Sequence, residues 1–199
     1  MNCNRIARCY RWLEYAGFGR ALEHRREAFL SAVSSVRRAL VLGDGDGRAL
    51  ASLLAAAPNA QIDYVDVSAH MLQLARQRAG SARVAYRNDD ALTTPLPTAE
   101  YDLIVTHFFL DCFDEEDQAR LIARIARAAT PQAQWLVSEF RKPGLLVRSL
   151  YAFFRATTGL RTRRLVDHHP LFLHHGFRLL RSEFAWRGLL ASELWMQVK

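Results

Sequence analysis

"ALVLGDGDGRALASLL", residues 39–54, joins a short apolar run to a helical one through three glycines at alternate positions. The run before Gly43 shows no polar alternation, as a strand buried on both faces requires. The run after Arg48 has its apolar residues at helical spacing and stops at Pro58. Between the two, Gly43, Gly45 and Gly47 can take positive φ and let a ligand approach the backbone closely. In an open parallel sheet, such strand-to-helix turns face ligands beyond the C-terminal ends of the strands.

The same alternation continues downstream. "AQIDYVDV" reads as a second strand and "SAHMLQLARQRAG" as a helix that Ser68 caps and Gly80 ends. "ARVAYRN" and "YDLIVTHFF" are a third and a fourth strand. "EEDQARLIARIARAAT" is a helix with acidic residues at its positive end, and "AQWLVSEF" is a fifth strand. The expected class is therefore α/β: a Rossmann-like, doubly wound, mostly parallel sheet. "GFRLLRSEFAWRGLLASELWMQVK" holds two strand-like runs on either side of "RG", which adds a C-terminal antiparallel hairpin. Residues 5–35 have helical spacing broken at Gly17 and Gly19, which places helices at the N-terminus. No linker interrupts the pattern. One domain over 1–199 is expected, with a helical cap (1–35), a ligand-binding core (36–140), a lid or acceptor segment (141–176) and the hairpin (177–199).

Composition agrees with one compact domain: 199 residues, 50% hydrophobic and 24% charged. The net charge of +7 favours acidic partners, but the arginines are spread over most helices, as on a solvated surface. No specific nucleic-acid partner is expected, and nothing in the pattern bears on oligomeric state. The apolar stretch "GLLVRSLYAFF" is interrupted by Arg148 and is shorter than the ~20 residues a membrane span needs. The first residues carry charges too closely spaced for a signal peptide, so a soluble, cytoplasmic protein is expected. Cys3, Cys9 and Cys112 are an odd set without a CxxC pair and read as reduced thiols. "HHPLFLHH", residues 168–175, has no carboxylate or cysteine pattern beside it; its histidines read as loop or surface residues, and no metal is expected.

The glycine turn excludes several ligands. The dinucleotide pattern GxGxxG needs a glycine at position 48, where Arg48 stands, and no GK[ST] follows for a phosphate loop. No acidic residues follow Asp46 at calcium-loop offsets. Asp44 and Asp46 would repel a pyrophosphate but suit a cationic ligand; they are also good turn residues. Asp66 stands at the end of the second strand, 19 residues after Gly47, where a carboxylate can accept both hydroxyls of a ribose. Asp90, after the third strand in "NDDALTTPLP", can accept from an adenine amino group. The acidic residue after the second strand keeps an NAD-binding oxidoreductase as a distant alternative.

Taken together, "ALVLGDGDGRALASLL", "IDYVDVSAHMLQLARQRA", "DDALTTPLP" and "YDLIVTHFFLDCF" resemble, in order and spacing over residues 36–140, the class I S-adenosylmethionine (SAM)-dependent methyltransferases. The likeness is greatest to the small-molecule group that includes ubiquinone/menaquinone-type enzymes. The resemblance implies SAM as cofactor. It implies that Gly43, Asp44, Gly45 and Gly47 support the methionine part and that Asp66 binds the ribose. It puts Val67 in the cofactor site, Met71 beside the adenine, and Asp90 with Ala91 at the adenine edge. Thr106 and His107 then lie where the fourth strand opens onto the methyl group. The family usually has an acidic residue two places before the first glycine, where this chain has Val41. Contacts to the methionine ammonium then fall to Asp44, Asp46 or backbone carbonyls.

Methyl transfer from a sulfonium is an in-line displacement, so the protein must align an acceptor and exclude water. A base is needed only where the acceptor must lose a proton. His107 and Asp111, on the rim after the fourth strand, are the candidates. Tyr10, Tyr151 and Phe154, from the aromatic-rich flanking segments, are the residues expected to reach the acceptor. The expected reaction is methylation of a small, largely apolar or aromatic molecule, with oxygen as the favoured acceptor atom. An RNA or other nucleic-acid methyltransferase and a non-catalytic SAM-binding protein are the alternatives. The [ND]PP[YF] tetrapeptide of amino-methylating nucleic-acid enzymes is absent, with "THFF" in its place.

Overall fold

Seven short segments of mostly apolar residues form one sheet in a computed structural model that describes residues 18–141, 144, 149, 152 and 165–198. They are β1 (Arg38–Leu42), β2 (Gln61–Asp66), β3 (Val84–Asn88), β4 (Tyr101–His107), β5 (Ala129–Phe140), β6 (Phe177–Ala185) and β7 (Leu190–Gln197). Their order is β3-β2-β1-β4-β5-β7-β6. The first five are parallel, and β7 runs antiparallel to both β5 and β6. The expected hairpin is present, and β7 is the strand of it that joins the sheet.

Among the described residues the helices with given bounds are α1 (Ala21–Glu27), α2 (Arg48–Ala56), α3 (Ala69–Ala79), α4 (Glu115–Ala128) and α5 (His169–His174). The Ser68 hydroxyl accepts from Met71 N and starts α3, while the Asp114 carboxylate accepts from Asp117 N and starts α4. Glu115, Glu116 and Asp117 fill the first turn of α4. That dipole effect is worth roughly 0.3–1 kcal/mol. Burial of Leu121, Ile122 and Ile125, at about 1.5–3 kcal/mol each, outweighs it and decides how α4 is held.

The two faces of the sheet carry separate cores. Leu50, Leu53 and Leu72 of α2 and α3 pack on Val41, Tyr64, Leu103 and Val105. On the other face, α4 and α5 cover Leu40, Leu42, Ile104, Trp135 and Trp195. A helix links β1 to β2, β2 to β3 and β4 to β5, but β3 runs to β4 through a loop.

The structure departs from the sequence reading in three places. The helical reading of 5–35 gives, among described residues, α1 and a short 3-10 turn (Leu30–Ala32), divided where Phe29 takes a φ of 67°. β5 begins at Ala129 rather than Ala133, because its pairing with β4 shifts register between Tyr101 and Leu103. Arginines read as solvated surface include structural ones. Arg83 donates to the carbonyls of Leu54 in the last turn of α2 and of Ala57 and Ala60 after it, and Arg26 is buried. Among the described residues no helix is long and apolar enough to cross a membrane.

Candidate functional site

The strand order reverses between β1 and β4, and the glycine turn lies at the end of β1 beside that reversal. This is where an open α/β sheet forms its ligand crevice. Gly43 and Gly47 must be glycine for different reasons. A Cβ on Gly43 (φ 65°) would lie 2.0 Å from Phe109 Cδ2, so the rim after β4 reaches the turn only because the residue is bare. A Cβ on Gly47 (φ 75°) would lie 2.8 Å from Ala75 Cα, where α2 and α3 meet. Gly45 faces the Met71 sulfur, and Met71 is buried.

The two turn aspartates have separate environments. Asp46 accepts from Arg48 Nε at 3.0 Å and Arg78 at 2.7 Å. Burial alone would raise its pKa, but the two guanidiniums outweigh burial and hold it below the ordinary carboxylate range. Asp44, 7% exposed, accepts from the Tyr64 hydroxyl at 3.4 Å and is steadied by the Leu50 backbone N–H, while its buried Oδ1 has no well-formed hydrogen bond among the described residues. Burial pushes its pKa up to about 7, against the pull of Arg26 and with a further push from Asp46. Asp44, and not Asp46, is therefore the turn carboxylate open to a cation.

Asp66 accepts from Ser68 N at 2.7 Å and from the Gly45 backbone, which ties the end of β2 to the glycine turn. Burial raises its pKa, and these two bonds partly oppose the rise. Val67 beside it is exposed. Asn88 Nδ2 and Asp89 N both donate to Asp66 O, so β2 and β3 end together. Ala91 is buried, and Asp90 is an exposed turn residue whose carboxylate accepts from Leu92 N at 2.9 Å.

The rim after β4 differs from its sequence reading. Thr106 is wholly buried and its hydroxyl accepts from Trp135 Nε1 at 2.9 Å, so that oxygen serves the core. His107 is 3% exposed, and neither ring nitrogen has a hydrogen-bond partner among the described residues. It lies among Leu30, Val41, Ala49, Leu50, Leu53 and Val105. Burial, and then Arg26, lower its pKa to about 3. A ring held neutral in this way is a weak proton acceptor, which disfavours it as a base.

Asp111 is half-buried on the rim, and beneath it lies a residue the sequence reading missed. Glu139, at the end of β5, accepts from Phe109 N at 3.0 Å and Leu110 N at 2.8 Å through one oxygen. Its second oxygen has no hydrogen-bond partner among the described residues. Burial, and then the neighbouring Asp111, push its pKa well above the ordinary range. A glutamate inside the apolar run "AQWLVSEF" was the signal available for it. Gln118 Nε2 holds Leu110 O at 3.0 Å from the α4 side.

Two further expectations lie elsewhere. Tyr10, Tyr151 and Phe154 fall outside the described residues. His168 and His169 are not loop-surface residues: His168 is buried, His169 opens α5, and both rings bond to Glu193.

Residues 39–132 match the family model described as a methyltransferase domain. The demethylmenaquinone methyltransferase of Deinococcus radiodurans is 34% identical over 122 residues, 60% of this chain and 50% of that protein. The chain thus spans about half the length of the curated relatives it matches. The mitomycin 7-O-methyltransferase MmcR superposes with a TM-score of 0.71 at 19% identity, over 96% of this chain and 58% of that one. A SAM-dependent methyltransferase from Mesorhizobium loti does so with a TM-score of 0.69 at 19% identity, over 93% and 100% of the two chains. At these identities the structures speak for the fold alone. The match over residues 39–132, from β1 into the first residues of β5, thus puts a methyltransferase-domain sequence around the glycine turn at the sheet's reversal point, on a fold shared with SAM-dependent methyltransferases.

Proposed function

We propose that this chain transfers the methyl group of SAM to a small, largely apolar or aromatic acceptor, with oxygen as the favoured acceptor atom. The observation that carries the cofactor reading is Asp44: a buried carboxylate oxygen without a well-formed hydrogen bond among the described residues, beside a turn of three positive-φ glycines. An orphaned buried acceptor is costly, and a cationic ammonium is the partner that would satisfy it. Bound SAM supplies the activated methyl carbon. Gly43, Gly45 and Gly47 would let the methionine part lie against the backbone, and Asp44 would take its ammonium in place of the acid absent at Val41. Asp66 would accept the ribose hydroxyls, with Val67 and Met71 flanking the adenine and Asp90 and Ala91 at its edge.

On the acceptor side, Asp111 with Glu139 replaces His107 as the favoured group for orienting an acceptor hydroxyl. Asp111 is half-buried on the rim, and the Glu139 carboxyl fixes the backbone of Phe109 and Leu110. The relative named for demethylmenaquinone supports a small-molecule acceptor. Tyr10, Tyr151 and Phe154, which lie outside the described residues, are proposed for the acceptor side from the sequence alone.

The test has two stages. Calorimetry should show binding of SAM and S-adenosylhomocysteine; binding of NADH without SAM would overturn the cofactor reading. A panel of small hydroxylated aromatic and quinone-like acceptors, read by S-adenosylhomocysteine release, should then yield turnover. Faster incorporation of labelled methyl into tRNA, rRNA or DNA than into that panel would replace the small-molecule reading.

A further inference from the structure

We propose that His168, His169 and Glu193 form a binding site for one divalent transition-metal ion, separate from the cofactor crevice. The sequence gives no hint of it, because the carboxylate lies 24 and 25 residues from the two histidines. The fold brings it there on β7, two places from β4 in the sheet, while the histidines lie at the start of α5.

Two imidazole nitrogens and one carboxylate are a donor set suited to zinc and its neighbours. The donor atoms all lie within 4.8 Å of one another. His168 Nε2 is 2.9 Å from Glu193 Oε2, and His169 Nε2 is 2.8 Å from Oε1. Ligands at about 2.0–2.2 Å from one ion stand roughly 3 Å apart, so two edges of the coordination polyhedron are already close to length.

The set is held from outside as well. Trp195 Nε1 donates to Glu193 Oε2 at 2.9 Å and its ring meets His169 edge-on, while His168 packs on Phe172. Such partners orient metal ligands and fix their geometry. Access runs along His169, whose side chain is 27% exposed where those of His168 and Glu193 are nearly closed off. Arg141 lies 3.9 Å from Glu193 Oε1 and 3.2 Å from Asp167. With Asp167 offsetting Arg141, the Glu193 charge is left for the ion.

Without metal, each Nε2–H donates to a Glu193 oxygen. On binding, the ion takes the Nε2 position of each neutral ring; the Nε2 proton leaves to solvent and Nδ1 takes one up, so each ring changes tautomer with no net proton release. The ion would staple β7 to the start of α5, a structural role.

The experiment uses the full chain without an affinity tag, stripped with a chelator and titrated with zinc by calorimetry, with cobalt absorption as a second readout. One equivalent of zinc, visible cobalt bands and a raised Tm are expected. His169→Ala, confirmed folded by circular dichroism, should bind at least about tenfold more weakly and lose the bands. His174→Ala, at an exposed neighbour, should bind as the unchanged chain does. Absence of saturable uptake, or equal uptake by the unchanged chain and His169→Ala, would overturn the site. Neither result depends on SAM or on an acceptor.

Discussion

Asp44 and Asp46 stand two residues apart in one turn, yet Asp46 is clamped between Arg48 and Arg78 while an oxygen of Asp44 is buried without a well-formed hydrogen bond among the described residues. The raised Asp44 pKa of about 7 has a signed consequence. Between about pH 4 and 7 the folded chain holds a proton on Asp44 that the unfolded chain has lost, so this group's contribution to stability falls as pH rises through that window. Asp44→Asn should therefore be more stable than the unchanged chain at pH 8 and no more stable near pH 4. Denaturant melts at both pH values check this.

If the Asp44 carboxylate receives an ammonium, SAM affinity should climb as pH rises toward 7 and level off above it. Asn at position 44 should flatten that profile. Calorimetric titrations between pH 5.5 and 8.5 would show either the slope or its absence, and a slope that survives in Asp44→Asn would assign the proton to another group.

Asp66→Ala should weaken SAM binding by about 1–3 kcal/mol through lost charge-assisted hydrogen bonds. It should also loosen the glycine turn, since Asp66 holds the Gly45 backbone. Equal affinity of the two proteins would remove Asp66 from the ribose site.

His107→Leu tests the reassigned histidine. Two buried nitrogens without hydrogen-bond partners among the described residues are a cost that an apolar side chain of similar size removes, so stability should be unchanged or rise by about 1 kcal/mol. Turnover should change by less than tenfold. A loss of ~10²–10⁴-fold with intact SAM binding would restore His107 as the base.

Gly47→Ala should destabilise the chain by roughly 2–5 kcal/mol, from a left-handed backbone and a collision with the Ala75 backbone between α2 and α3. The midpoint of urea unfolding measures it.

The parts of the fold legible in the sequence were those written in local periodicity. The apolar run before Gly43, the Ser68 cap and the acidic start of α4 each state an element within a few residues of themselves. The turn and Asp66 were legible for the same reason, since a strand end and its following residues stay together in any βα unit. The residues missed depend on contacts across the sheet. Glu139 meets Phe109 and Leu110 from β5, and Glu193 meets His168 and His169 from β7, at separations of 24 to 30 residues. The burial of His107 was not legible, because its place at a strand end says nothing of which face α2 covers.

The placement of β7 between β5 and β6 has a consequence for assembly during synthesis. β6 is hydrogen-bonded into the sheet through β7, so residues 177–185 leave the ribosome before the strand they pair with. Until residues 190–197 follow, the open flank of β5 is unoccupied over Gln134–Phe140. Nascent chains halted between the two strands should then be the aggregation-prone species, and a chaperone that recognises extended apolar segments should bind them in preference to longer ones.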